Sequence, residues 1–244
     1  MDRSLYVAMS GARETMRAQT ANNHNLANAS TQGFKADLSA FQTRAVQGPG
    51  YASRAYATDS SLGWDDTTGA LLSTEQPLDI AVQGKGWFAV QAADGTEAYT
   101  RAGNLHVEPS GLLVTASGRP VLGDGGPITV PPYSSILVGR DGTVSIVPAG
   151  QSANTVAAVG RIKLVNPPST SLDRGDDGLF RGKGGVLPAD ANVTVTSGVL
   201  ESSNVNVAQS MVNMIELSRH FELQVKAIKA AEENAATSSK LLTP

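Results

Sequence analysis

The sequence predicts an α+β protein: long N- and C-terminal α-helices pairing as a coiled-coil-like domain, with a central, mainly antiparallel β domain. Three observations predict it. A helical apolar period runs through residues 4 to 28, gives way to a period of two between 76 and 165, and returns from 206 to 241. Neither helical stretch alternates with strands, which disfavours a doubly wound parallel sheet.

The N-terminal element rests on Leu5, Met9, Ala12 and Met16, continued by Thr20, Asn23 and Ala27. Steps of four and three residues place them along one helical stripe. At ~1.5 Å per residue the helix is about 37 Å long. It ends in the turn formers Asn28, Ser30, Thr31 and Gly33. Residues 35–75 carry few large apolar side chains and are expected as an extended connector.

The central element begins where Leu78, Ile80 and Val82 alternate with polar or small residues. Turn signals recur at Gly84-Lys85-Gly86, Asp94-Gly95, Pro109-Ser110-Gly111 and Ser117-Gly118. Ile136 and Val138, then Asp141-Gly142, then Val144 and Ile146 read as a hairpin. The β-rich outer domain is assigned to residues 76–165. Residues 166–203 return to proline, glycine and aspartate and are expected as a second connector.

The C-terminal helix opens with Asn206 followed three residues later by Gln209, the spacing of a capping box. Met211, Met214, Phe221, Val225 and Ile228 then occupy a strict heptad stripe. An isolated helix with one apolar stripe is marginal in water. The two terminal segments, 1–34 and 204–244, are therefore expected to form one assembly domain, with the two stripes as its seam.

Composition excludes several function classes. Of 244 residues 17% are charged and the net charge is −3, unlike a dedicated nucleic-acid binder or a polybasic membrane surface. The absence of cysteine removes disulfides, iron–sulfur clusters, thiolate zinc sites and thiol nucleophiles. No apolar run approaches the ~18 residues of a membrane-spanning helix. Met1 to Met9 lack a basic stretch followed by an apolar one, so no cleaved signal peptide is expected.

Candidate chemistry is sparse. His24, His106 and His220 lie far apart, without metal-ligand spacing. Gly84-Lys85-Gly86-Trp87-Phe88-Ala89 imitates a dinucleotide fingerprint but precedes β-type residues instead of a helix. Gly182-Lys183-Gly184-Gly185 lacks the rest of a phosphate-binding loop, and no serine lies in a nucleophile elbow. Asp65-Asp66 and Asp176-Asp177 fall in polar stretches. Arg174-Gly175-Asp176 and the glycosylation-type tripeptides at Asn28 and Asn192 are short enough to recur by chance. No catalytic residue, cofactor, metal or small-molecule substrate is expected.

Longer motifs carry a family resemblance. Asn25-Leu26-Ala27-Asn28-Ala29-Ser30-Thr31-Gln32-Gly33-Phe34-Lys35-Ala36 resembles a signature of bacterial flagellar rod and hook proteins. Pro77 to Phe88, Tyr99-Thr100-Arg101-Ala102-Gly103 and Gly198-Val199-Leu200-Glu201-Ser202-Ser203-Asn204-Val205 resemble further segments of that family, as does Met214 to Glu222. Gln32 and Trp87 are mild departures. The two ends look most like the proximal-rod branch. The resemblance implies a structural subunit of the basal-body rod, a helical tubular drive shaft that transmits torque across the periplasm. It also implies passage through the flagellar type III export apparatus. Its partners would be copies of itself, other proximal-rod proteins and the distal-rod protein FlgG, with no nucleic acid. A distal-rod or hook-type axial subunit is the alternative; composition and period alone would also suit a secreted adhesin-like β protein.

Overall fold

A computed structural model describes residues 3–45, 55–152 and 154–242. The chain divides into two compact units. The first gathers residues 1–29, 35–65 and 205–244; the second gathers 30–34 and 66–204.

The first unit contains helix α1 (Arg3–Ala27), the antiparallel strands β1 (Asp37–Ala45) and β2 (Ala55–Trp64), and helix α2 (Val207–Leu242). Asn206 starts α2: its side-chain oxygen accepts from the Gln209 amide at 3.1 Å, satisfying one of the free N–H groups at the helix start. Gln209 turns away to Asn213 at 2.9 Å, so the reciprocal half of the box is not made.

The expected pairing of two long helices as a coiled-coil-like domain is corrected by this structure. The described residues hold two α-helices, the N-terminal one short at 25 residues, and more than half of the chain lies in a mainly antiparallel β unit. The heptad positions do not close into a seam, for Met9, Met16 and Met211 stand 52%, 56% and 52% exposed. Buried on α1 instead are Ala8, Ala12, Glu14, Thr15, Ala18 and Asn22. These side chains are small or polar, and knobs-into-holes packing requires large apolar ones. The β1–β2 hairpin also packs against α1, in sequence expected as connector.

The second unit is built from short strands, and every pairing of its strands is antiparallel. A five-stranded sheet runs in the order Leu164–Val165, Trp87–Gln91, Glu97–Thr100, Phe180–Gly182, Leu172–Arg174. A three-stranded sheet joins Tyr133–Val138, Thr143–Pro148 and Ala157–Arg161. The hairpin at Asp141-Gly142 forms where the alternation places it, with Ile136 opposite Ile146 and Val138 opposite Val144. Ile80, Phe88, Leu113, Val144, Ile162 and Val195 lie in one buried cluster. Strands beyond residue 165 complete this unit: Thr194–Ser197 pairs with Ile80–Gln83, and Val199–Glu201 with Leu71–Ser73.

Candidate assembly site

Within the first unit, α1 is joined to β1 by an asparagine. Asn25 Nδ2 donates to the Asp37 carbonyl at 2.9 Å, and the Asp37 amide donates back to Asn25 Oδ1 at 2.7 Å. A primary amide offers a donor and an acceptor side by side, so Asn25 imitates a strand neighbour. His24 Nδ1 meets Asp37 Oδ2 at 2.6 Å. Asn28 Nδ2 donates to the His24 carbonyl at 2.9 Å, satisfying an end carbonyl of the helix.

The Asn25–Ala36 motif then enters the second unit, where its glycine and aromatic are fixed. Gly33 has φ +65, and a Cβ there would collide with the Arg101 backbone. The Gly33 amide donates to the Glu201 carbonyl at 2.8 Å, and the Asn204 amide to the Phe34 carbonyl at 3.3 Å. The Arg174 guanidinium stacks 4.4 Å over Phe34 and 5.7 Å from Phe180. The arginine of the Arg-Gly-Asp tripeptide is thus engaged inside the unit.

Beside these contacts, within the second unit, lies an ion pair that spacing did not reveal. Arg101 Nη1 donates to Glu201 Oε2 at 2.9 Å, with both side chains about 1% exposed. Arg101 Nη2 donates to the Gly84 carbonyl at 2.7 Å, and the guanidinium lies 5.5 Å from the Trp87 ring centroid. Glu201 Oε1 accepts from the Gly69 amide at 3.0 Å. Desolvating both charges is costly, and these extra bonds are what make the burial tolerable. The signal in sequence was the presence of Arg101 and Glu201 in two separate family motifs.

Electrostatics elsewhere in this unit serve turns. The Thr96 hydroxyl holds the Asp94 carboxyl below its ordinary value, and Thr143 does the same for Asp141. Arg181 lowers Asp177. Burial pushes the Tyr99 hydroxyl up.

The expected helix-seam residues are distributed as follows. Ala12 is buried; Leu5, Met214, Phe221, Val225 and Ile228 are half-buried; Met9, Met16 and Met211 are exposed. Of the motif residues, Gly33, Phe34, Leu200 and Glu201 are buried in the second unit, where Asn204 follows at partial exposure; Val205, also partly exposed, begins the last segment of the first unit. Asn25, Leu26 and Asn28 are half-buried, whereas Ala27 and Thr31 are exposed. Large apolar side chains also stand exposed at Tyr6 on α1 and at Ile215 and Leu223 on α2. Among the described residues no cluster of three histidines or acids is placed to hold a metal, and no helix is long and apolar enough to cross a membrane.

The chain combines an inserted β body with a terminal unit that exposes apolar side chains on its helices. Similar proteins identify its class. Residues 81–146 match the family described as flagellar hook protein FlgE/F/G D1 domain, and residues 196–241 match flagellar basal body rod FlgEFG protein C-terminal. The chain is 47% identical to flagellar basal-body rod protein FlgF of Salmonella typhimurium, covering 100% of this chain and 99% of the relative. It is 46% identical to the FlgF of Escherichia coli over the same shares. To flagellar basal-body rod protein FlgG of Bacillus subtilis it is 34% identical, over 96% of each chain. The chain belongs to the flagellar basal-body rod protein family. It is a structural subunit of the rod, located in the flagellar basal body.

Proposed function

We propose that the chain builds the proximal segment of the rod and carries torque through it by mechanical contact, with no catalytic step. Its subunits join head-to-tail through contacts that do not close, so a tube grows. It adjoins copies of itself, other proximal-rod proteins and a distal-rod protein of the FlgG type. It leaves the cytoplasm through the flagellar type III export apparatus. The carrying observation is the exposed apolar surface on the first unit, in a chain alignable over its whole length with FlgF rod proteins. The segments 1–34 and 204–244 serve as the assembly region in this reading, with Phe221 on its contact stripe.

Phe221 is half-buried on α2, so an aspartate there removes roughly 2 kcal/mol of apolar burial and sets a charge in an apolar contact. The expected result for Phe221→Asp is soluble protein of normal abundance, absent from isolated basal bodies, in cells that do not swim. Lys226→Ala, exposed on α2, leaves swimming unchanged. Normal swimming by Phe221→Asp would overturn the assignment of this face. Absence of the parent chain from basal bodies would overturn the reading itself.

A further inference from the structure

Within the first unit, α1, β1 and α2 line a cleft of about 400 Å³ that is open to solvent. Its depth is marked by Asn22 and Ser210, both buried and joined by a 2.8 Å hydrogen bond from Asn22 Nδ2 to the Ser210 carbonyl. Its mouth is marked by Leu38 and Phe41, which are 41% and 53% exposed. Among the described residues the lining carries two acids, Asp37, which meets His24, and Glu216, together with His220, and no lysine or arginine. An apolar lip therefore stands over an acidic wall.

The complement of this surface lies on the same unit. α1 contains Arg3, Arg13 and Arg17 against one acid, Glu14, a formal charge of 3 − 1 = +2. Tyr6, Met9, Arg13 and Met16 follow one another by three, four and three residues, so they share one face of the helix. All four are exposed. Arg13 and Arg17 share the carboxylate of Glu14, at 2.9 and 3.2 Å, and keep an excess positive charge at the surface.

We propose that this face of α1 in one copy of the chain seats in the cleft of a second copy. Met16 meets the lip formed by Leu38 and Phe41, where a thioether packs well on an aromatic edge, and the arginines face Glu216. The proposal rests on the rod-subunit reading and specifies one of its contacts. The two surfaces differ, so the contact is heterologous and repeats from copy to copy.

The chain has no cysteine, which allows a clean cross-linking test in rods. Cells lacking the native chain are supplied with Met16→Cys, with Phe41→Cys, with both chains together, or with one chain carrying both changes. Isolated basal bodies are treated with a short bismaleimide. The expected result is no cross-link with either single variant, a dimer with the mixture and a ladder with the double variant. Met9→Cys with Leu38→Cys repeats the test at neighbouring positions and is expected to give the same pattern. Dimers of comparable yield from a single-cysteine chain would overturn the head-to-tail contact. A cross-link to a different rod protein, or none in basal bodies that contain both variants, would overturn the choice of a second copy. Basal bodies lacking even the parent chain would instead remove the underlying reading.

Discussion

Arg101 and Glu201 show how a single charge pair commits a large part of the second unit. The guanidinium satisfies a carboxylate, a carbonyl and an aromatic face at once. Glu201→Ala leaves Arg101 buried without its counter-charge, a loss expected to cost about 3–5 kcal/mol. Urea unfolding of the purified chain measures it. Adding Arg101→Ala to Glu201→Ala should cost less than the sum of the single changes, since the two act as one pair. The aspartates of the turns set a pH dependence. Asp94, Asp141 and Asp177 have folded values below the ordinary one, so their contribution is present above about pH 4 and is lost as pH falls through the lowered values. Tyr99 is shifted the other way, and its contribution is present below about pH 10 and lost as pH rises beyond it. The melting temperature of the second unit is therefore expected to be flat between these limits and to fall on either side. A melting temperature that stays constant down to pH 2 would remove the carboxylates from this account.

Among the elements, α1 and β1 are held in sequence-local contact by Asn25. Asn25→Ala removes both bonds to Asp37, and at about 0.5–1.5 kcal/mol each the expected cost is about 1–3 kcal/mol. Hydrogen exchange should show it as faster exchange of the Asp37 amide, with the hairpin at Asp141-Gly142 unaffected. Much of the β structure was legible. Ile136, Val138, Val144 and Ile146 alternate around a turn dipeptide, a short-range signal that needs no tertiary context. The β1–β2 hairpin was not legible. Asp37–Ala45 offers only Leu38 and Phe41 as large apolar residues, and both stand exposed, so these two write no buried period into the sequence. The buried stripe of α1 was hidden for a different reason. Ala8, Ala12, Thr15 and Ala18 are chosen for smallness, and a search for large apolar residues finds Met9 and Met16 on the exposed side instead.

At the scale of the whole molecule, two units are interleaved in the chain, and the cut points matter. Residues 76–165 contain the alternating pattern, yet Phe180, Val193, Val195 and Leu200 lie beyond it and are buried in the same unit. Residues 66–204 are therefore expected to unfold in one cooperative transition. Residues 76–165 alone, stripped of the partner of Ile80–Gln83 and of one of the two partners of Glu97–Thr100, are expected to melt without a sharp transition. Circular dichroism of the two fragments distinguishes these outcomes. The family was legible because its motifs are long and ordered along the chain. The buried charge pair was not, because 100 residues separate its members and only the folded chain brings them together.

The hydrogen bond between Gly33 and Glu201, inside the second unit, bears on the order of events during folding. Asn22 and Ser210 are separated by 188 residues, so joining them from an unstructured chain closes a very large loop. Once Gly33 is bound to Glu201, the open stretch shrinks to 11 residues on one side and 9 on the other, roughly 20 in all. Loop-closure entropy falls by about 0.6 kcal/mol for each halving of length, which makes the later contact easier by about 2 kcal/mol. The inserted β body thus acts as a clasp that turns a remote encounter between chain ends into a local one.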